Sequence, residues 1–396
     1  MKKLFLLLLG IIVFSACHHD DPTPSAANNR TVLVYMVADN NLTSNVEANI
    51  DSMMSGYKTA KVTGNLLIYL DDTSKSPVLY KLKKNSNGTV TKETVKPYSE
   101  QNSLDVSVMK GILSDVYTSY PADSYGLVLW SHGKSWVPSQ YETITTKWFG
   151  QDQSTTTQGD ETHYMDIPDL ATALDGAPHL DFIMFDACYM SSVEVAYELK
   201  DRAEYLIAAP TEILAVGFPY KQIIKPMFSS DKQYGDIPLQ FYNFYNNVYG
   251  DHRLNSTIAM IKCSEMNNLA AETNKIIAAH KLDFNTIVPS RFQLYDRETN
   301  HFAYDFGHLI ESIATSDEWA SMQKQLNATV IYKATTNFTG PYLGSDPINS
   351  GAELQINPNH YSGLATYVPK ASQTIYLNFF KTLSWYNAAG WNQTAW

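Results

Sequence analysis

Cysteine is scarce in this 396-residue sequence, which contains only Cys17, Cys188 and Cys263. Three cysteines cannot build a disulfide framework, and Cys263, at the end of a short apolar run, is typical of an ordinary buried residue. Basic residues are also in the minority, with 29 Lys and Arg against 40 Asp and Glu and a formal net charge of −11. Since no basic patch is visible, a nucleic-acid-binding surface is not expected.

Several motifs that indicate bound metals or nucleotides are missing. The sequence has no zinc-ligand spacing, no phosphate-binding glycine loop and no Gly-x-Ser-x-Gly turn. The adjacent His18 and His19 lie in a polar segment and are interpreted as linker. We therefore predict no metal site and no required cofactor.

Long apolar segments are missing beyond the N-terminus, so no membrane-spanning helix is predicted. At the N-terminus two lysines precede the apolar run Leu4–Phe14, which is too short to anchor the chain across a bilayer. Small residues then lead to Cys17. This pattern resembles a bacterial lipoprotein signal over residues 1–16, with cleavage before Cys17 and lipidation of its thiol. Ordinary signal cleavage near Ala16 is the alternative.

Residues 17–30 are polar and contain two prolines, so they are interpreted as a flexible tether between membrane and folded domain. Asp20 and Asp21 resemble the acidic tags that direct some lipoproteins to the outer face. We expect an exported protein with a lipid anchor in the bacterial cell envelope. The outer membrane and its external surface are the expected location.

Short, unbroken apolar runs indicate a buried parallel sheet. Tyr125–Trp130 and Phe182–Phe185 are too short for helices and too apolar for half-exposed strands. Because such runs alternate with helical patterns, we predict an α/β protein whose residues 31–263 form a mostly parallel sheet with helices on both faces. Ser256–Lys262 is predicted to be the last core strand, and residues 264–396 are predicted to form a smaller, mainly helical subdomain.

A thiol and an imidazole follow two of these runs directly. His132 comes two residues after Trp130, and Cys188 comes two residues after Asp186, just before a helix. Sites in open α/β sheets lie at the carboxyl edge, where two neighbouring strands would bring these side chains together. The imidazole can then take the thiol proton and create a nucleophilic thiolate. A cysteine that is simply buried and inert is the alternative.

Six segments in chain order resemble the clostripain-like cysteine peptidases, a branch of the caspase, legumain and gingipain clan. The segments are YMVADNNLTSNVEANIDSM (35–53), LVLWSHG (127–133), DFIMFDACYMSSVEVAYEL (181–199), YLIAAPTEILAVGFPY (205–220), FAYDFGHLI (302–310) and SGLATYVP (362–369). The resemblance implies a caspase-like α/β/α sandwich and a Cys-His dyad, with Cys188 as nucleophile and His132 as general base and acid. It also implies that the backbone N–H groups of Gly133 and Cys188 bind the oxyanion. No third catalytic residue is evident.

Asp186, Thr211 and Glu212 are the candidate substrate-binding residues. Asp186 shares a strand face with Cys188. In clostripain relatives the matching acidic residue lies in the pocket for the residue before the scissile bond, which is Arg or Lys. An aspartate that only orders local backbone N–H groups is the alternative. Thr211 and Glu212 match the segment that lines the same cleft, and a scaffolding role is the equal alternative.

The polar loop from Lys134 to Tyr164 is long enough to be functional or cleavable. Some relatives cut themselves after a basic residue in this region. Lys147 is therefore the candidate autoprocessing site, and Lys134 is the second choice. An unprocessed surface lysine is the competing interpretation.

Calcium is required by some relatives. Five acidic residues could supply ligands, but none has the spacing of an EF-hand loop, so exposed loop acids are the preferred interpretation. These residues are Asp71, Asp72, Asp152, Asp160 and Glu161.

The sequence thus predicts a monomeric cysteine endopeptidase that cleaves peptide bonds after Arg or Lys through a thioester acyl-enzyme. Its partners would be peptides or proteins with basic residues and, through Cys17, a membrane. Two alternatives stay open. One is a non-catalytic surface lipoprotein that uses the same fold to bind peptides or glycans. The other is a peptidase of the same clan with non-basic specificity.

Overall fold

The computed structural model describes residues 30–138, 148–153, 155–156, 159–160, 162–229, 231–248, 256–280, 287–339, 354–370 and 372–394. The predicted signal over residues 1–16, the lipidation residue Cys17 and the processing residue Lys147 lie outside these ranges. Within them, the molecule is built on one nine-stranded sheet that lies between two helical layers.

The strands of this sheet, numbered in chain order, are β1 Arg30–Ala38, β2 Asn65–Asp72, β3 Lys75–Lys84, β4 Val90–Pro97, β5 Ser124–Trp130, β6 Leu180–Asp186, β7 Ala203–Ala208, β8 Thr257–Lys262 and β9 Val330–Thr335. Their spatial order is β9-β8-β7-β6-β5-β1-β2-β3-β4. The five middle strands, from β7 to β2, pair in parallel. The two strands at each side pair in antiparallel fashion.

The middle strands are covered on both faces. Every residue of β1 is buried, with Leu33 and Tyr35 in one core and Val34 and Met36 in the other. Alternate side chains of a strand point to opposite faces, so a strand that is apolar at consecutive positions needs a layer on each side.

Helices supply these two layers. In chain order they are α1 Val46–Thr59, α2 Val106–Ser119, α3 Ile167–Ala173, α4 Val193–Leu199, α5 Tyr220–Met227, α6 Asp236–Val248, α7 Met266–His280, α8 Phe306–Ile313, α9 Ser316–Thr329, α10 Thr374–Phe380 and α11 Ser384–Ala388. α1, α5 and α6 cover the face that contains Val34, and the other helices cover the face that contains Leu33. The predicted α/β/α sandwich is confirmed. No helix in the described ranges combines the length and the apolar character needed to cross a bilayer.

Short strand pairs lie beside the main sheet. They join Phe149–Asp152 to His163–Met165, Thr155–Thr156 to Gly159–Asp160, Tyr304–Asp305 to Ala365–Thr366, and Phe338–Thr339 to Leu354–Gln355. The first pair is tied to the segment after β5, because the Lys134 N–H donates to the Trp148 carbonyl at 2.7 Å and the Gly150 N–H to the His132 carbonyl at 2.9 Å.

The C-terminal region corrects one prediction. β9 pairs with β8 in antiparallel register, with Thr335 opposite Thr257, so Ser256–Lys262 is not the last strand of the core sheet. β9 is an edge strand in which Ile331 is 46% exposed, and it therefore lacks the continuous apolar pattern of the middle strands. Apart from this strand, residues 264–396 are mainly helical, and their apolar side chains join the Leu33 core. The boundary predicted after residue 263 interrupts neither the sheet nor that core.

Candidate active site

His132 and Cys188 lie at the same edge of the sheet. β5 and β6 are adjacent and parallel, with Trp130 opposite Asp186. His132 and Cys188 each come two residues further on, so the register of the strands also sets these side chains at the same level. Both line one cavity of about 170 Å³. Strand pairing therefore brings together the two residues of the predicted dyad.

The Cys188 thiol is partly buried and is held by the loop after β7. The Ile213 N–H donates to Sγ at 3.3 Å, and Sγ lies 3.6 Å from the Ile213 carbonyl oxygen. Burial, and after it the nearby Glu212 carboxylate, raise the pKa of Cys188 to about 12. The Ile213 N–H and the Arg297 charge act in the opposite direction. The thiol is therefore protonated at neutral pH and needs a base before it can act as a nucleophile.

His132 is a suitable base. Burial lowers the pKa of His132 below its ordinary value, so the ring is neutral near pH 7. Its Nε2 lies 2.6 Å from the side-chain oxygen of Asn41, which follows β1, the neighbour of β5. Among the described residues, no hydrogen bond joins His132 to Cys188. Catalytic hydrogen bonds of this kind are often long until substrate binds.

Gly133 lies against the backbone of Cys188. A Cβ atom at position 133 would be 2.7 Å from the Cys188 carbonyl oxygen and 2.9 Å from the Ala187 Cβ, so only glycine allows this approach. The hydrogen bonds to the neighbouring strand are made by the residues on either side of Gly133. In the part of the chain that the structure describes, the N–H groups of Gly133 and Cys188 have no hydrogen-bond partner. Two such donors beside a thiol can bind an oxyanion.

Asp186 also lines the cavity and is almost completely buried. Its Oδ2 accepts hydrogen bonds from the Tyr220 hydroxyl at 2.8 Å and from the Phe218 N–H at 3.2 Å. Burial raises the pKa of Asp186 to about 6, and these two donors limit the rise. Gly217 has a φ of +72°, and a Cβ there would lie 2.7 Å from Oδ2. Asp186 thus orders local backbone and still presents a carboxylate to the cavity.

A profile of the clostripain family matches residues 34–396. The chain belongs to the clostripain family. Clostripain of Hathewaya histolytica is 25% identical over 218 residues, an alignment that covers 49% of this chain and 41% of clostripain. The match thus spans less than half the length of that curated relative.

Solved structures of clostripain-family proteases have the same architecture. A secreted cysteine protease from Bacteroides thetaiotaomicron, in complex with an irreversible peptide inhibitor, is 32% identical with a TM-score of 0.79, and the match covers 92% of this chain and 99% of that one. An inactive zymogen protease from Parabacteroides distasonis is 34% identical with a TM-score of 0.77, over 91% of this chain and 97% of that one. The caspase-like fold implied by the sequence is confirmed, and the clostripain family is one of cysteine peptidases.

Thr211 and Glu212 lie beside Cys188 but have partners of their own. The Thr211 hydroxyl is buried and lies 2.6 Å from that of Thr257 on β8. The Glu212 carboxylate forms an ion pair with Arg297. Both side chains therefore support the loop that holds Cys188, and the geometry favours the scaffolding alternative for them.

Arg297 and Glu298 join the C-terminal region to both halves of the site. Arg297 pairs with Glu212 in the loop that holds Cys188, and Glu298 pairs with Lys134 at 2.6 Å, two residues after His132. We call this feature the Arg297–Glu298 clamp. Only 7% of the Lys134 side chain is exposed, so in this fold Lys134 is not an accessible cleavage site.

The acidic residues considered for calcium are not all exposed loop acids, and that prediction was wrong for Asp71, Asp72 and Asp152, which are buried. Asp71 accepts a hydrogen bond from the Ser103 hydroxyl at 2.5 Å, and Asp152 accepts one from the Ser103 N–H at 2.6 Å. Burial and then the Asp152 charge raise the pKa of Asp71 to about 9. Within the described ranges, no group of three or more His, Cys, Asp or Glu side chains is arranged to hold a metal ion. The Asp160 side chain and Glu161 lie outside the described part.

Three partners of the site were not predicted: Asn41, Ile213 and the Arg297–Glu298 clamp. Asn41 lies in segment 35–53, which resembles the family, and it follows β1 by three residues, at the carboxyl edge of the sheet. Ile213 acts through its backbone, and the clamp comes from a distant segment. Neither has a local sequence pattern.

Proposed function

We propose that the protein is a cysteine endopeptidase that cleaves peptide bonds after Arg or Lys. Cys188 is the nucleophile and His132 the general base and acid, and the reaction passes through a thioester acyl-enzyme. The observation that carries this proposal is the register of β5 and β6, which places both side chains around one cavity. Membership of the clostripain family supports it.

The environment of the thiol supports the following order of proton transfers. Because the pKa of Cys188 is raised to about 12, thiolate is rare at rest and His132 removes the proton as the thiol attacks the carbonyl carbon. The oxyanion that forms accepts hydrogen bonds from the N–H groups of Gly133 and Cys188. His132 then gives its proton to the leaving amine. In the second half it deprotonates a water molecule, which hydrolyses the thioester and restores the thiol.

Asp186 is the proposed recognition group for the basic side chain. With a pKa of about 6 it is mostly ionised at neutral pH, and one of its oxygens has no partner among the described residues. A buried carboxylate is costly without a cation nearby, and an arginine or lysine side chain in the cavity would provide one. Asn49 lies next to this site: its buried side-chain oxygen has no partner among the described residues and is 3.2 Å from the Cβ position of Gly217, which lines the cavity.

We further propose that the protein is exported, with a signal over residues 1–16 and a lipid anchor at Cys17 in the outer membrane. The secreted relative from Bacteroides thetaiotaomicron supports export. Maturation by cleavage after Lys147, a monomeric state and independence from calcium also belong to this proposal. Mass spectrometry of the purified protein tests lipidation of Cys17 and cleavage after Lys147. Activity in the presence of excess chelator tests independence from calcium.

The decisive experiment compares amide hydrolysis after Arg, Lys, Asp and Asn in otherwise identical fluorogenic peptides. We expect hydrolysis after Arg or Lys only, and none by the Cys188→Ala variant. Cleavage after Asp or Asn would favour a peptidase of the same clan with different specificity. No hydrolysis together with no labelling of Cys188 by a peptide affinity reagent would favour a binding module. Activity that survives Cys188→Ala would exclude the mechanism.

A further inference from the structure

We propose that Asn41 is a positioning residue of this active site, which holds the His132 ring through Nε2 and thereby makes Nδ1 its basic nitrogen. This inference rests on the proposed function and extends the dyad by a third side chain. The observation that points to it is the 2.6 Å contact between the Asn41 Oδ1 and the His132 Nε2.

The turn that carries Asn41 is fixed by its neighbours. Asn40 is 2% exposed, and its amide group donates to the Val37 carbonyl at 3.1 Å and to the Gln151 carbonyl at 2.6 Å. The Asn40 side-chain oxygen accepts the Leu42 N–H at 2.8 Å. Asn41 therefore starts from a backbone that cannot easily shift, which is what a positioning residue needs.

The segment that carries His132 is fixed to the same strand. The Ser131 hydroxyl donates to the Val37 carbonyl at 2.6 Å, and the Gly150 N–H donates to the His132 carbonyl at 2.9 Å. Asn41 follows β1 and His132 follows β5. Since these two strands are hydrogen-bonded neighbours in the sheet, the positions of both residues are fixed relative to each other. Both side chains are short, so little conformational entropy is lost in holding them together.

The chemistry of the contact selects one form of the ring. A neutral imidazole has one N–H donor and one acceptor nitrogen, and an amide oxygen can only accept. Nε2 therefore keeps its hydrogen, and Nδ1 keeps the lone pair that can take the Cys188 proton. When it does so, the Nε2–H bond to Asn41 becomes charge-assisted and stronger, which favours the imidazolium. An amide does this without the full charge of a carboxylate, so the resting ring stays neutral.

Two substitutions separate positioning from simple support. We expect Asn41→Ala to lower kcat about 10- to 100-fold with little change in KM, because a hydrogen bond to a charged intermediate is lost. Asn41→Asp should restore the hydrogen bond and move the acid limb of the kcat/KM profile about one unit to higher pH, since a carboxylate stabilises the protonated ring. The matched control is Asn45→Ala in the same turn, whose side chain makes one hydrogen bond among the described residues, accepting from the Ser44 hydroxyl at 3.4 Å. It should behave as the wild type.

The ionisable groups around His132 stay constant in these variants. They are Cys188 and Asp186 in the cavity, the Glu212–Arg297 and Lys134–Glu298 ion pairs behind it, and Asp39 at the start of the turn. A shift of the acid limb in Asn41→Asp is therefore due to the effect of the new carboxylate on the protonation of His132. An Asn41→Asp profile that superimposes on that of the wild type, or full activity in Asn41→Ala, would overturn the inference.

A second readout does not depend on turnover. In protein with ¹⁵N-labelled histidine, the His132 signals, assigned by their loss in His132→Gln, should show hydrogen on Nε2 in the wild type and a mixture of tautomers in Asn41→Ala. Hydrogen on Nδ1 in the wild type would overturn the inference even if the protein cleaves peptides. The expected tautomer in a protein that cleaves nothing would instead overturn the proposed function and leave the positioning role supported.

Discussion

Two buried aspartates near the carboxyl ends of parallel strands have different environments. Asp186 on β6 receives two hydrogen bonds, from a phenol and a backbone N–H, and its pKa is raised only to about 6. Asp71 on β2 shares Ser103 with a second carboxylate, Asp152, and its pKa is raised to about 9. Burial is the largest cause in both cases. Donors keep the first side chain ionised at neutral pH, and a like charge keeps the second protonated.

Under the proposed function, this difference separates the proposed recognition group, Asp186, from a structural carboxylate, Asp71. Asp186 combines its negative charge with a cavity, so it can bind a cation from outside. Asp71 has one oxygen that is buried and without a partner among the described residues, and its neighbour is another acid. A protonated pair of this kind fixes the loop between β4 and α2 to the strand that contains Asp152. Strand position alone therefore does not make an aspartate part of a site.

The largest effect is expected from Asp186→Asn. Removing the charge of a buried ion pair costs about 3–5 kcal/mol, so kcat/KM for Arg and Lys peptides should fall roughly 1,000-fold. The measurement is steady-state hydrolysis, with the rate of Cys188 alkylation as a control for an intact site. Equal losses for basic and uncharged peptides would contradict a recognition role.

Asp71→Asn should change how stability depends on pH. The wild-type pair binds one proton more in the folded than in the unfolded state between about pH 4 and pH 9, so its contribution to the free energy of unfolding falls as pH rises. The limiting slope for one proton is about 1.4 kcal/mol per pH unit. Urea unfolding between pH 5.5 and 8.5 should show a flatter curve for Asp71→Asn.

The control for this experiment is Asp115→Asn, which removes a half-exposed carboxylate paired with Lys96. It should leave the slope unchanged. Parallel curves for the wild type and Asp71→Asn would mean that the pair does not hold the extra proton.

Gly217→Ala should destabilise the protein by about 1–3 kcal/mol, because position 217 needs a positive φ. The new methyl group would also press on Asp186, so KM for basic peptides should rise. Thermal unfolding and peptide hydrolysis measure the two effects. Gly235→Ala, with no atom within 4 Å of its Cβ position, is the matched control and should change neither.

Tyr220→Phe should have the smallest effect. Without the phenol donor, the pKa of Asp186 rises above about 6, and the acid limb for basic peptides moves about one unit to higher pH. Tyr234→Phe removes a similar bond, at 2.6 Å to Asp181 at the opposite end of β6. Tyr234→Phe should leave the acid limb of the pH profile unchanged. A shift of equal size in both variants would mean that the change comes from a loss of protein stability and not from the pKa of Asp186.

The sequence predicts the middle of the fold well because its signals there are local. Tyr125–Trp130 and Phe182–Phe185 lie within β5 and β6, since only strands covered on both faces are apolar at every position. The same strands place His132 and Cys188. Partners that come from distant segments could not be predicted, because the contact of Arg297 with Glu212 depends on tertiary packing. β9 was missed because an edge strand has a weak apolar pattern.

The Arg297–Glu298 clamp has a consequence for the order of assembly. Its two anchors are Lys134 and Glu212, on either side of the nucleophile, and the clamp itself follows more than 80 residues after the later anchor. A ribosome or an export channel releases the chain from its N-terminus, so Cys188 emerges long before the residues that brace it. The two ion pairs that brace the His132–Cys188 cavity can therefore form only when the chain has emerged as far as Glu298.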